Sequence, residues 1–191
     1  MDWIKAIEIF ALVTGVLYVI LEIGQKNLMW IIGILTGAAC AYSFAAQRLW
    51  ASMGLNIYYV VVSVIGLREW RKDGAAAGEG SLHLNRLTKK TGLWSAAVFV
   101  AGSLALAAVL RATGDSFPIL DAVVTVMSAV GTWWLARSYP EQWMIWIVAD
   151  MLSTALCLHQ GMPWMAVLYL AYALSAVYGY FHWMKKGSYI E

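Results

Sequence analysis

Seven apolar runs divide this chain, at roughly 5–24, 28–46, 51–70, 93–111, 118–137, 142–159 and 164–184. Most of the breaks between them are short and polar: Gln25-Lys26-Asn27, Gln47-Arg48, Tyr139-Pro140-Glu141 and His159-Gln160-Gly161. A helix needs about 20 apolar residues to cross a bilayer. Helices satisfy their own backbone hydrogen bonds, which lipid cannot do for them. Charged residues make up 13% of the chain and apolar ones 62%, against about 25% charged in an ordinary soluble domain. A soluble fold would have too little polar surface to cover this much apolar side chain. The expectation is an all-α, polytopic membrane protein with seven transmembrane helices. The first run carries Glu8 and Glu22, and no small-x-small cleavage site follows it. It therefore reads as a retained helix rather than a signal peptide.

Residues 71–92 are rich in Gly, Ala and charge and read as a mobile loop, the best place for a hinge. A repeat supports a division there. Shifting the chain by 113 residues without a gap lays Asp2 on Asp115, Glu8 on Asp121, Trp30 on Trp143, Gln47 on Gln160, Leu55 on Leu168, Tyr59 on Tyr172, Gly66 on Gly179 and Trp70 on Trp183. Each unit holds three crossings, residues 1–70 and 115–184. A linking helix over 93–111 lies between them, and a tail follows at 185–191. Three crossings plus one return the chain to its starting side, so the two repeats run parallel, an arrangement found in transporters. The starting side carries Lys5, Arg48 and Arg111, and the other side carries the remaining ten of the 13 Lys and Arg. The positive-inside bias then places the N-terminus outside and the C-terminus and the 71–92 loop in the cytoplasm. Trp3, Trp30, Trp50, Trp70, Trp94 and Trp183 lie near run ends and read as interfacial anchors.

A net charge of +2 argues against a nucleic-acid partner. Cys40 and Cys157 sit inside apolar runs and read as small packing residues. No CxxC, His cluster or Gly-rich phosphate loop is present, so neither a cofactor nor direct ATP drive is expected. An intramembrane enzyme would need a nucleophile and base, or metal ligands, at membrane depth. His83 and His159 read as loop residues and His182 lies near a helix end, so the reading is a non-enzyme. A non-transporting scaffold or sensor is a lesser alternative.

An ionisable group at membrane depth is costly and calls for a reason. Glu22 lies four residues before Lys26 near a helix end and reads as half of a structural pair. Glu8 and Asp121, repeat mates, suit either helix-end contacts or an outer vestibule. Asp150 lies mid-run with no Lys or Arg within a turn, and Trp143 and Trp146 precede it by seven and four residues. The three share one helical face. Two indoles and a carboxylate on one stripe suit a flat cationic ring, because indole faces stack on it and attract positive charge. The rival reading places the indoles in an aromatic belt and Asp150 against a neighbouring helix. Asn56, Tyr59 and Ser63 form a polar stripe in the third run, and Tyr169, Tyr172 and Ala176 are its mates in the seventh. These stripes can read a ligand's polar edge or join helices to each other. Gly66 and Gly179 read as close-packing positions, as do Gly33 and Gly131-Thr132.

Several of these residues together resemble the PnuC family of bacterial vitamin transporters. They are Asn56-Ile57-Tyr58-Tyr59 followed by Gly66 and Trp70, Asp121, Arg137, and Glu141-Gln142-Trp143-x-x-Trp146-x-x-x-Asp150. The match runs from the first helix to Trp183. The resemblance implies uptake of a nucleoside-like vitamin by facilitated diffusion, with a cytoplasmic kinase trapping the substrate. It also implies a homotrimer with one site per protomer, between the halves near the midplane. The family motif maps onto Trp143, Trp146 and Asp150. Nicotinamide riboside is the leading substrate, with thiamine and riboflavin branches beside it. Asp150 stands where nicotinamide riboside carriers tend to have Asn, which leans toward thiamine as the alternative. Both substrates carry a permanent positive charge on a heteroaromatic ring, and an Asp suits either. Coupling to a proton through Asp150 stays open.

Overall fold

The computed structural model describes residues 16–46, 50–77, 82–114 and 116–190. Trp3, Lys5, Glu8, Gln47 and Arg48, and the aligned Asp2 and Asp115, lie outside the described residues. Seven helices follow one another: α1 (described over 16–23), α2 (Leu28–Ala46), α3 (Trp50–Ala77), α4 (Lys89–Ala112), α5 (Pro118–Ala136), α6 (Gln142–His159) and α7 (Pro163–Lys186). Two three-residue strands, β1 (Leu82–Leu84) and β2 (Gly187–Tyr189), complete the chain order. The helix starts follow local chemistry. Pro118 and Pro163 open α5 and α7, where a missing N–H costs nothing. The Thr88 hydroxyl caps α4 by accepting the Thr91 N–H at 3.2 Å.

Among the described residues, three helical segments are long and apolar enough to cross a membrane by length and composition alone: Lys89–Ala112, Pro118–Ala136 and Met165–Lys186. α6 dilutes its apolar character with polar residues turned inward. These are Gln142, Asp150, Ser153 and Thr154, all buried. The linking helix α4 packs on α5 and exposes Leu93, Trp94, Val98, Leu104 and Val109.

The repeat is visible in the geometry. Gln25 and Ser138, 113 residues apart, both adopt a left-handed conformation, with φ of 45° and 55°. Two backbone bonds around them match one for one. Gln25 N–H donates to Glu22 O and Lys26 N–H to Leu21 O, while Ser138 N–H donates to Leu135 O and Tyr139 N–H to Trp134 O. Such paired bonds end a helix by satisfying its last carbonyls. The Trp30 indole lies on Gly66, and the Trp143 indole lies on Gly179. A methyl group added at either glycine would come within 2.5 Å or 2.7 Å of the ring. Trp30 meets Trp70 edge to face at 5.1 Å between centroids, and Trp143 meets Trp183 at 5.4 Å. Trp70 and Trp183 meet at 6.3 Å. The four rings thus form one palindromic row, 30–70–183–143, across the junction of the halves. Each inner indole donates to the opposite half, Trp70 Nε1 to Leu135 O at 3.1 Å and Trp183 Nε1 to Ile23 O at 3.0 Å.

The tryptophan row corrects the anchor reading for Trp30, Trp70 and Trp183, which are fully buried in the core. A run end marks depth along the membrane normal but not radial position. These ends converge on the axis between the repeats. Trp94 is exposed, as an interfacial anchor would be, and the Trp50 side chain lies outside the described set.

The expected mobile loop over 71–92 is also corrected. α3 continues to Ala77, because Glu69, Arg71, Lys72 and the alanines are good helix formers. At about 1.5 Å per residue a helix of this length outruns a hydrocarbon core of about 30 Å, so its charged last turns project beyond the bilayer. The tail likewise forms β2, which pairs in parallel with β1, Leu82 against Gly187. Leu82, His83 and Leu84 are buried, and the His83 ring lies 6.0 Å from that of Trp70. Gln25 grips His83 by both backbone groups. Its Nε2 donates to the His83 carbonyl at 2.9 Å, and its Oε1 accepts the His83 N–H at 2.8 Å. Asn85 N–H donates to Ser138 O at 3.1 Å, and Asn85 Nδ2 donates to Asp73 Oδ2 and Arg137 O, each at 3.0 Å. The segment 82–85 is therefore a strap holding the equivalent turns of both halves.

Candidate functional site

Two neighbouring cavities occupy the interior. One has a volume of about 300 Å³ and is walled by α1, α5, α6 and α7, with Glu22, Trp143, Trp146, Asp150, Tyr169 and Tyr172 among its lining residues. The other, about 520 Å³, is walled by α1, α2, α3, α5 and α6 and includes Gly33, Thr36, Gly37, Asn56, Tyr59 and Ser63. Tyr18, Ser128 and Trp146 belong to both linings. Pockets of a few hundred Å³ hold small molecules.

The two cavities follow the repeat. Trp146, Ala149, Asp150, Tyr169, Tyr172 and Ala176 line the first, and their mates Gly33, Thr36, Gly37, Asn56, Tyr59 and Ser63 line the second. The same positions of each repeat thus form two different walls. Where the second half has Trp146 and Asp150, the first has Gly33 and Gly37. A methyl group at Gly33 would come within 2.8 Å of the Ser63 hydroxyl, and one at Gly37 within 2.8 Å of a Val60 methyl. Gly33 and Thr132, read from sequence as packing positions, therefore also line a cavity, while Gly131 packs on Ile145 and Trp146.

All seven residues singled out from the sequence face one or the other cavity. Trp143, Trp146, Asp150, Tyr169 and Tyr172 come together in the smaller one, and Asn56 and Tyr59 line the larger. The two indoles are not equivalent. Trp143 is 2% exposed and wedged between Gly179 and Trp183, as its mate Trp30 is between Gly66 and Trp70. Trp146 has a glycine as its mate and stands between the cavities. The tyrosines pair edge to face, Tyr169 with Tyr172 at 6.3 Å and Tyr58 with Tyr59 at 5.6 Å. Tyr58 itself donates its hydroxyl to Ala129 O at 2.6 Å, joining α3 to α5 across the halves.

Glu22 departs from its expected pairing with Lys26. The i,i+4 geometry requires a continuous helix, and α1 ends at 23 with the left-handed turn at Gln25. Lys26 is exposed, whereas Glu22 is buried and lines the smaller cavity. Asp121 lies in the first turn of α5, where a carboxylate suits the helix dipole. Arg137 bridges the halves at the strap end, with Nη1 3.8 Å from Glu69 Oε1 and its guanidinium 5.0 Å from the Trp133 ring centroid.

A seven-helix bundle of two parallel repeats, enclosing ligand-sized cavities lined by aromatic rings and hydroxyls, has the form of a membrane carrier for a small molecule. Comparisons with known proteins agree in class. The chain is 29% identical over 195 residues to the nicotinamide riboside transporter PnuC of Neisseria mucosa, covering 96% of this chain and 73% of that one. It is 27% identical over 175 residues to the transporter of the same name from Haemophilus influenzae, covering 91% and 76%. A crystal structure of the vitamin B3 transporter PnuC superposes with a TM-score of 0.65 at 30% identity, covering 92% of this chain and 79% of that one. The family model described as nicotinamide mononucleotide transporter matches residues 5–185, and the chain belongs to this transporter family.

Proposed function

We propose that this protein carries nicotinamide riboside, or a closely related cationic heteroaromatic vitamin, into a bacterial cell across the inner membrane. The observation that carries the reading is the smaller cavity. It presents the Trp146 indole, the buried Asp150 carboxylate and the phenols of Tyr18, Tyr169 and Tyr172 together, with no Lys, Arg or His among its described lining residues. Trp146 offers a face to a flat ring, and positive charge on that ring gains from both the indole and Asp150. Tyr169, Tyr172 and, through the adjoining cavity, Asn56 and Tyr59 supply donors and acceptors for a hydroxylated substituent. Trp143 fixes the α6–α7 angle behind Trp146. The relatives named for nicotinamide riboside transport support the same substrate class.

Transport in this reading is facilitated diffusion by alternating access, with the two halves rocking about the cavities and the N-terminus outside. A homotrimeric assembly and trapping of the substrate by a cytoplasmic kinase belong to the same proposal. Thiamine is the second reading, favoured by Asp150 at the third motif position. Calorimetric titration of the purified protein with nicotinamide riboside, thiamine and riboflavin tests the reading. Saturable binding with nicotinamide riboside as the tightest ligand is expected. A stronger response to thiamine would reassign the substrate, and no binding of any of the three would overturn the carrier reading.

A further inference from the structure

The smaller cavity contains a second carboxylate, contributed by the opposite half of the molecule. Glu22 reaches it from α1, and Asp150 from α6. Glu22 is 5% exposed and Asp150 8%. Glu22 Oε1 has no hydrogen-bond partner among the described residues. Its neighbour Gln142, in the first turn of α6, is fully buried and brings its amide toward that carboxylate without completing a well-formed hydrogen bond among the described residues. The indole N–H groups of Trp143 and Trp146 are likewise without acceptors among the described residues. A buried carboxylate without a cation beside it is costly to ionise. Two ionised carboxylates lining one cavity repel each other, and a cation held between them relieves that repulsion and favours the ionised form of both.

We infer that Glu22 is a specificity-determining residue, forming with Asp150 a two-carboxylate cage that selects ligands bearing a permanent positive charge. The inference rests on the carrier reading above and adds a residue that the helix-six motif does not contain. An indole favours a cationic ring but also stacks on a neutral one of similar shape. A carboxylate from each half makes the charge itself the selected property, and a cation held between them draws the two halves together. A purely structural Glu22, serving only to orient Gln142, would affect charged and uncharged ligands alike.

The test compares nicotinamide riboside with its reduced dihydropyridine form, which has nearly the same shape and no ring charge. Both are titrated into the purified wild-type protein and into Glu22→Gln and Glu22→Asp. The wild type is expected to prefer the cation by at least about tenfold. Glu22→Gln is expected to weaken the cation by at least about tenfold and the neutral form by less than about threefold, while Glu22→Asp keeps most of the preference. Equal losses for both forms, or none, would overturn the cage and leave the carrier reading standing. Should Glu22→Gln fail to fold, the wild-type ratio decides, since equal affinity for the two forms would overturn the cage. Failure of nicotinamide riboside, thiamine and riboflavin alike to bind the wild type would overturn the carrier reading and the cage together, whereas binding of uncharged riboflavin alone would overturn only the cage.

Discussion

At the scale of single residues, the informative contrast is between Trp143 and Trp146. They are one turn apart on α6, and their spacing alone makes them equivalent. Packing separates them. Trp143 is held by Gly179 and Trp183, whereas Trp146 lines both cavities. Trp146→Ala is expected to weaken ligand binding at least tenfold, since stacking on an aromatic ring contributes about 1–3 kcal/mol. Calorimetry on the variant checks this, and unchanged affinity would return Trp146 to a packing role. Gly66→Ala and Gly179→Ala should each lower stability by about 1–3 kcal/mol through overpacking against an indole. Thermal unfolding in detergent reads the effect, with Gly54→Ala, which meets nothing within 4 Å, as a control expected to unfold near the wild-type temperature. The 113-residue register aligns Trp30 with Trp143 and Gly66 with Gly179 in the sequence, but that each indole lies on a glycine is not legible there, because position near a run end reads as an interfacial anchor. Nor is the inward turn of Glu22, because it depends on α1 ending before Lys26.

At the scale of elements, the strap 82–85 is the feature with the least sequence signal. Its length is too short for periodicity, and its partners Gln25, Arg137, Ser138 and β2 are remote in the chain. A reading based on Gly and charge therefore took the whole interval as loop. Gln25→Ala removes two hydrogen bonds to His83, each contributing about 1 kcal/mol. Hydrogen exchange at 82–85 should accelerate in that variant while the α5 and α6 cores stay protected. The strap is also expected to respond to pH. Burial pushes the His83 imidazole below its ordinary pKa, with the Asp73 carboxylate opposing the shift. A base whose folded pKa is depressed binds fewer protons folded than unfolded. Its contribution is complete above the unfolded pKa of about 6.5 and is lost as pH falls through the folded value. Protection of 82–85, corrected for intrinsic exchange, should fall as the medium is acidified. His83→Phe should flatten that dependence, and an identical dependence in the variant would remove His83 as its source.

At the scale of the whole molecule, internal duplication organises both the fold and the candidate site. Seven helices, their parallel repeat and the two polar stripes could be read from run lengths, charge placement and the register. The two cavities could not, because each draws lining residues from both halves, with Tyr18 of α1 and Ser128 of α5 in both. Duplication also explains how a near-symmetric bundle offers an asymmetric site, with Trp146 and Asp150 replacing the glycines of the first half. The measurement that tests the central claim most directly is uptake of labelled nicotinamide riboside into liposomes containing only the purified protein. Saturable uptake without ATP, insensitive to proton and sodium gradients and abolished by Trp146→Ala, is the expected result. Uptake no faster than into protein-free liposomes would contradict the account.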